Sequence, residues 1–385
     1  MSDEAIEALR RRFRRVAIVH EWLTIPGGSE QVVLELLALF PEAEIFTTVY
    51  DVDRWQGALG AQTVHASWLD RAPRARSSYR LLLPLMHGAI RSFDLSGFDL
   101  VISSNHAFAK NARTAAGTLH VCYCHTPMRY AWEPGFLEGE RIGRIGRTLI
   151  GPILATLRRW DLDGAKNPDL LVANSEHVAA RIERFYGRHA LVVNPPVDVD
   201  HFLELERKPE DFYLVFGRVV PYKRVDLAVQ ACLRSGRRLK IAGDGRALKS
   251  IRRICRGHRN IEVIGHVDER QRDELFARAR ALIFPGEEDF GIVPVEAQAA
   301  GMPVVAFNCG GASESVLDEV TGILFPRQDQ DCLQEALDRF EASTFNEQAI
   351  RERAKAFGRK RFRTQMAKVI EDAAEARLSA RQPAP

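Results

Sequence analysis

The chain has 385 residues, 46% hydrophobic and 27% charged, with 54 Lys and Arg against 51 Asp and Glu for a net charge of +3. That length suits two domains, because one hydrophobic core stops growing near ~250–300 residues, and the near-neutral charge argues against nucleic-acid binding. No apolar run reaches the ~18 residues of a membrane span, no cleavable leader follows the basic start, and six Cys lack metal-ligand spacing, so a reduced cytosolic protein is expected.

Strands in the first half are predicted at Val16–His20, Ala43–Thr48, Thr63–Ala66, Leu100–Ser104, Leu119–Cys124 and Leu170–Asn174, with helices at Glu30–Phe40 and Glu176–Phe185. This alternation argues a parallel α/β domain. After the first strand, Pro26-Gly27-Gly28-Ser29-Glu30 opens a helix with Ser29 as a plausible N-cap. Gly27 and Gly28 permit close backbone approach to an anion, but the same pair also makes an ordinary strand-to-helix turn. It is not the G-x-G-x-x-G of a dinucleotide site, nor is a G-x-x-x-x-G-K-[ST] loop present.

Arg10 to Arg15, Arg71 to Arg91 and Arg141 to Arg159 give this half a basic bias. Arg80–Arg91 and Arg141–Ile150 mix basic and apolar residues, which fits either an anionic membrane surface or core-facing helices with solvated Arg. His125-Thr126-Pro127-Met128-Arg129-Tyr130-Ala131-Trp132 follows a strand and gathers a titratable His, an Arg and two aromatics. Such a loop suits a sugar, and equally a structural His.

Val192 to Asp198 interrupts the pattern with two prolines, and charged residues 204–211 follow. The expected domains are 1–198 and 199–365, with a C-terminal helix and tail over 366–385 that crosses back to the first domain. The alternation then restarts. Strands fit Tyr213–Phe216, Leu239–Ala242, Ile261–Ile264, Ala281–Phe284, Val304–Phe307 and Gly322–Phe325. Helices fit Arg224–Arg234, Ala247–Arg256, Gln271–Ala279 and Val295–Ala300; Arg351–Arg377 reads as one long charged helix, and Gln382–Pro385 as a frayed end. Two Rossmann-like halves imply a ligand cleft between them.

Two loops of the second half carry chemistry. Gly217-Arg218 and Lys223 follow the first strand, where Arg offers a fork of donors and Lys a point charge for a diphosphate; a solvated basic loop is the plain alternative. The other runs from Phe284 through Glu288 to Glu296. Its helix start directs the N–H groups of Gly291, Ile292 and Val293 toward an anion. Glu288 in the loop and Glu296, expected in the first helical turn, bracket that point. They fit a ligand with hydroxyls on both sides of a phosphate, or a solvated loop and a carboxylate that offsets the helix dipole.

Together these elements resemble the retaining glycosyltransferases of family 4, which have the GT-B fold: an α/β architecture of two Rossmann-like domains facing across a cleft. The resemblance rests on Gly27-Gly28, Asn174-Ser175 with Val178 to Ile182, Gly217-Arg218 with Lys223, Gly243-Asp244-Gly245, Glu288 with Glu296, Gly310-Gly311 with Glu314, and Gly322. His20-Glu21-Trp22-Leu23, Phe40-Pro41 and His125-Thr126-Pro127 with Arg129, Tyr130 and Trp132 are similar to bacterial O-antigen and exopolysaccharide mannosyltransferases that use GDP-mannose.

The resemblance implies a retaining hexosyltransferase, moving mannose from GDP-mannose to a glycan or lipid-diphosphate-linked acceptor at the inner face of the cytoplasmic membrane. It implies no metal or other cofactor. Arg218 and Lys223 would hold the diphosphate, Glu288 and the amides of Gly291, Ile292 and Val293 the transferred sugar, and Glu296 the ribose. His125 would reach the sugar or acceptor, Gly27, Gly28 and Gly217 would admit the phosphates, and Ile264 would line the base. A UDP-sugar donor, a sugar-nucleotide epimerase of the same fold and a catalytically silent assembly protein are the competing expectations.

Overall fold

The computed structural model describes residues 3–133 and 144–381. The expected fray of Gln382–Pro385 and the start of the basic segment, Arg141 to Gly143, lie outside the described residues. The chain divides into two compact units, one of Met1–Pro196 with Lys360–Pro385 and one of Val197–Arg359. The first boundary stands two residues before the expected one. The C-terminal helix joins the first unit from Lys360, rather than from 366.

Unit 1 holds β1 (Val16–His20), β2 (Glu44–Thr47), β3 (Val64–Ala66), β4 (Leu100–Asn105), β5 (Leu119–Cys124), β6 (Leu170–Ala173) and β7 (Leu191–Val192). They form one parallel sheet in the order β3-β2-β1-β4-β5-β6-β7. Six strands fall where the sequence places them, and the two-residue β7 is an addition. A parallel sheet covered on both faces needs apolar residues at successive positions. Accordingly Val16 and Ile18 of β1 enter one core with Leu36 and Phe362, while Ala17 and Val19 enter another with Met86 and Phe108.

Unit 2 repeats the plan with β8 (Tyr213–Phe216), β9 (Leu239–Ala242), β10 (Ile261–Gly265), β11 (Ala281–Phe284), β12 (Val304–Phe307) and β13 (Gly322–Phe325). The parallel order is β10-β9-β8-β11-β12-β13. Both sheets therefore reverse their strand order once, between β1 and β4 and between β8 and β11. Loops leaving the carboxyl ends of such a pair diverge to opposite faces and leave a crevice, which is where ligands bind in open α/β sheets.

Helices Val52–Leu59 and Gln330–Ala342 were not anticipated, whereas Leu83–Arg91 and Arg144–Gly164 fall on the two basic segments for which helices were one of the readings. In helix Leu83–Arg91, Met86, Ala89 and Ile90 are buried and Leu85 is exposed, so this part of the basic segment is chiefly a core-packing helix. The long charged pattern at 351–377 is two helices, Glu347–Lys355 and Arg359–Arg381. The break comes at Phe357 and Gly358, which meet Val197 through a main-chain bridge and a Val197 N–H bond to the Phe357 carbonyl at 3.0 Å.

Beyond the break, Phe362, Met366, Ile370 and Ala374 recur every four residues on one helix face and enter the unit 1 core. Phe362 meets Tyr123 edge-on at 5.6 Å. Arg363 pairs with Glu35, and Arg377 reaches Asp169 at 2.9 Å and the Ala116 carbonyl at 2.7 Å. Unit 1 is thus completed by the end of the chain. Phe362→Ala should cost about 3–5 kcal/mol, read as a lowered urea midpoint of the unit 1 transition; a midpoint unchanged from the parent would show that the helix is not part of that core.

Candidate functional site

In unit 2 the β8 loop carries Gly217, Arg218 and, on a 3-10 turn Pro221–Lys223, the Lys223 side chain. Gly217 has φ 113°, and Gly243 packs so tightly on it that a Cβ there would lie 1.9 Å from the Gly217 carbonyl oxygen. The β11 loop approaches from the neighbouring strand. A Cβ on Gly286 would come within 2.7 Å of Lys223 Cα, so only glycine lets the two backbones meet this closely. As a result Lys223 Nζ stands 2.7 Å from Glu288 Oε1, in a charge contact rather than a well-directed hydrogen bond.

Gly217, Arg218, Lys223, Gly286 and Glu288 line one pocket above β8 and β11. Arg218 is exposed, its guanidinium 3.5 Å from the Tyr222 hydroxyl. On the third side, Gly310 and Gly311 pack against the main chain of Glu288 to Phe290, and the Gly311 N–H donates to the Glu288 carbonyl at 2.9 Å. The loop that presents Glu288 is held by backbone on both flanks.

The following helix runs Ile292–Ala299, three residues earlier than expected, with Gly291 as its N-cap at φ 83° and no side chain capping it. Its first N–H groups can therefore take an anion's oxygens. Its far end is fixed by Arg351, which donates to the carbonyls of Ala299 at 3.0 Å, Leu203 at 2.9 Å and Leu205 at 2.7 Å.

The early start corrects the position of Glu296. It is the fifth helical residue, outside the first turn where a carboxylate offsets the helix dipole. Glu296 is half-buried, and burial pushes its carboxyl up to about 7 against the opposing pull of Arg272, with Asp198 adding to the rise and His201 and Lys223 opposing it. Glu288 in the loop and Glu296 in the helix that follows it thus have separate surroundings. Ile264, on edge strand β10, is two strands from β8 and outside the lining of the Arg218–Lys223–Glu288 pocket.

In unit 1 the carboxyl ends of β1, β4 and β5 gather a cluster in which the sequence singles out His125, with Gly27 and Gly28 beside it, as site residues. Glu21 is fully buried, and its Oε1 accepts the N–H groups of His106, Ala107, Phe108 and Ala109 at 2.8–3.1 Å. Burial would raise its pKa, but His106, His20 and the backbone donors outweigh it, so the carboxyl lies at about 2. His20 lies between Ser104 and Glu30, and Ser104 in turn meets His125. Burial, with His106 and His20 nearby, lowers His125 to about 3, so that ring is neutral.

Gly27 caps helix Gly28–Leu39, and a Cβ there would sit 2.9 Å from Glu30 Oε2, which places the glycine pair beside this cluster. The signal for the cluster was present in the sequence. His20-Glu21 and Asn105-His106 each stand at a strand's carboxyl end, and the order of those strands brings them together.

The chain matches the family described as Glycosyltransferase Family 4 over residues 26–201 and that described as Glycosyl transferases group 1 over residues 198–361. It is 36% identical over 184 residues to an exopolysaccharide phosphotransferase of Streptomyces coelicolor, covering 44% of this chain and 19% of that protein. It is 23% identical over 377 residues to the alpha-1,3/1,6-mannosyltransferase alg2 of Schizosaccharomyces pombe, covering 81% and 71%. The first curated relatives are longer than their match, which spans between 19% and 49% of their length. Among solved structures, Anabaena Alr3699/HepE in complex with UDP and glucose superposes with TM-score 0.68 at 16% identity, covering 92% of this chain and 99% of that one. The lipopolysaccharide outer core galactosyltransferase WaaB does so with TM-score 0.66 at 16% identity, covering 94% and 99%.

The raised pKa of Glu296 has a defined consequence for stability. Between about 4.5 and about 7 the folded carboxyl holds a proton that the unfolded one has lost, so stability falls as pH rises through that window and then levels off. The fall amounts to about 3 kcal/mol. Glu296→Gln should remove it, stabilising unit 2 over the parent at pH 8 but not at pH 4.5, as read from urea midpoints at the two pH values. Equal differences at both would show that Glu296 titrates normally.

Proposed function

Since the chain belongs to the family 4 type of glycosyltransferase, built on the GT-B fold, we propose that it moves mannose from GDP-mannose to a lipid-diphosphate-linked glycan with retention of configuration. The observation that carries this reading is the meeting of Lys223 with Glu288 at the β8/β11 reversal, under a helix start with free amides. A cation and a carboxylate lining one pocket, with an uncapped helix start a few residues along the same loop, suit a donor made of a diphosphate joined to a sugar. The mannosyltransferase alg2, matched over most of this chain, supports mannose as the sugar.

In this reading Arg218 and Lys223 take the diphosphate, and Lys223 exchanges part of its contact with Glu288 for phosphate oxygens. Glu288 and the amides of Gly291, Ile292 and Val293 take the sugar, Glu296 takes the ribose hydroxyls, and Ile264 lines the base.

The reaction proceeds on one face of the sugar. The bond from the anomeric carbon to the leaving phosphate oxygen breaks as the acceptor oxygen bonds to the same face, and that phosphate oxygen takes the acceptor's proton. The charge left on the nucleoside diphosphate is spread over Arg218 and Lys223, without a metal. Positioned cations of this kind commonly supply a large share of a catalytic barrier reduction.

Lys223→Ala should lower kcat about 10²–10³-fold with modest change in donor KM, and near-normal turnover would remove Lys223 from the mechanism. Calorimetry and donor hydrolysis with GDP-mannose, GDP-glucose, UDP-glucose and UDP-galactose test the donor. Solved structures of the same fold with UDP bound favour a second donor reading, a UDP-sugar, and preferential binding of UDP-glucose would replace GDP-mannose with it.

Action at the cytoplasmic face of the membrane rests on the half-exposed Trp68 and Leu85, with exposed Arg71, Arg74 and Arg76 in the same segment. Among the described residues no helix is long and apolar enough to cross a membrane. Vesicles with anionic headgroups should carry the protein upward in a flotation gradient at low salt, whereas neutral vesicles should not; equal behaviour on both would remove the surface contact.

A further inference from the structure

Four side chains from four separate elements of unit 1 form a single chain of hydrogen bonds. Glu30 Oε1 lies 3.3 Å from His20 Nε2, His20 Nδ1 lies 3.1 Å from Ser104 Oγ, and Ser104 Oγ lies 2.8 Å from His125 Nε2. The direction of every proton in this chain follows from which atoms can only accept. An ionised carboxylate only accepts, so His20 Nε2 carries hydrogen. The Ser104 carbonyl, also accept-only, lies 3.3 Å from His20 Nδ1, so that nitrogen carries hydrogen as well. His20 is then an imidazolium, held in a fully buried position by the Glu30 carboxylate. Burial opposes its charge, but Glu30, Glu21 and the Ser104 carbonyl outweigh it and raise its pKa, while that of Glu30 is lowered.

Ser104 has one hydroxyl hydrogen. Among the described residues its oxygen meets only His20 Nδ1 and His125 Nε2, so with His20 donating, the hydroxyl hydrogen is satisfied only at His125 Nε2, the unprotonated nitrogen of a neutral ring. We infer that Glu30, His20 and Ser104 act as positioning residues that lock His125 in the tautomer with hydrogen on Nδ1, so that the ring offers a fixed hydrogen-bond donor to an oxygen of a bound glycosyl ligand. Nδ1 has no hydrogen-bond partner among the described residues, and His125 is the partly exposed end of an otherwise buried chain.

The surroundings agree with this polarity. His106 stands 5.9 Å from His20 and 6.1 Å from His125 between ring centres, and burial lowers its pKa, so it adds no second positive charge. Tyr123 meets His125 edge-on at 5.2 Å, and Glu21 is ionised under its four backbone donors.

The ligand half of this inference rests on the glycosyltransferase reading, whereas the tautomer lock does not, and one experiment separates them. In the full chain labelled with ¹⁵N-histidine, the ring nitrogens of His20 and His125 are assigned by loss of signal in His20→Asn and His125→Asn. The parent at pH 7.5 should show His20 protonated on both nitrogens and His125 protonated on Nδ1 alone. Glu30→Gln should lower the His20 pKa so that its second proton is gone at pH 7.5. Ser104→Ala should free His125 to populate the form with hydrogen on Nε2. A parent His125 already mixed, or carrying hydrogen on Nε2, overturns the lock whatever the protein transfers; if Ser104→Ala does not fold, the parent spectrum and Glu30→Gln still decide. Hydrolysis of GDP-mannose and UDP-glucose should fall at least tenfold in kcat/KM in Ser104→Ala. A freed tautomer with unchanged hydrolysis overturns the role toward the ligand and leaves the lock standing.

Discussion

The reversal of strand order within each parallel sheet is the constraint on which everything else in this protein depends. Where β8 and β11 lie side by side, the connections that follow them leave toward opposite faces of the sheet. The chain spends its cations on one loop and its carboxylates on the other, so Lys223 and Glu288 meet although 64 residues part them along the sequence. In unit 1 the same reversal between β1 and β4 brings His20 and Glu21 to Ser104 and His106.

Backbone proximity makes these meetings narrow enough to matter. Gly243 against Gly217, Gly286 against Lys223, and Gly310 and Gly311 against Glu288 to Phe290 are places where a methyl group would overlap main-chain atoms, which cannot swing aside as a side chain can. Each contact fixes a loop by packing peptide on peptide, and peptides have few degrees of freedom once hydrogen-bonded. The polar side chains then issue from defined points. This gives a physical meaning to glycines scattered through the second half, which by composition alone would read only as turns.

That second half was the more legible one for the same reason. Its chemistry sits in two contiguous stretches, Gly217 to Lys223 and Phe284 to Glu296, each following an apolar strand that short β-branched runs reveal. Even so, the helix after Gly291 begins at Ile292 rather than at the expected Val295, with a glycine at φ 83° as its N-cap. The cluster of unit 1 was harder to see. Glu21 works through the N–H groups of residues 85 to 88 positions away, and backbone donors have no side-chain signature in a sequence. The charged pattern at 351–377 misled for a related reason: helical periodicity runs through Phe357 and Gly358, while a main-chain bond from Val197 imposes the break.

Two glutamates show how much the backbone decides. Glu21 and Glu296 are both withdrawn from water, and burial pushes each carboxyl toward its neutral form. At Glu21 four N–H groups on one oxygen, with His106 and His20 beside it, reverse that push and bring the group to about 2. It is then a fixed anion that ties the start of the β4 loop to the end of β1 through Oε1, while its Oε2 stands 3.2 Å from His106 Nδ1 without a directed hydrogen bond. Among the described residues Glu296 has no comparable set of donors. Arg272, His201 and Lys223 oppose its desolvation only in part, and the carboxyl stays near 7. A carboxylate left under-solvated by its own fold gains most from whatever brings donors to it. Glu21 is held as an anion by backbone donors on one oxygen, whereas Glu296 keeps its proton where burial outweighs the cations around it.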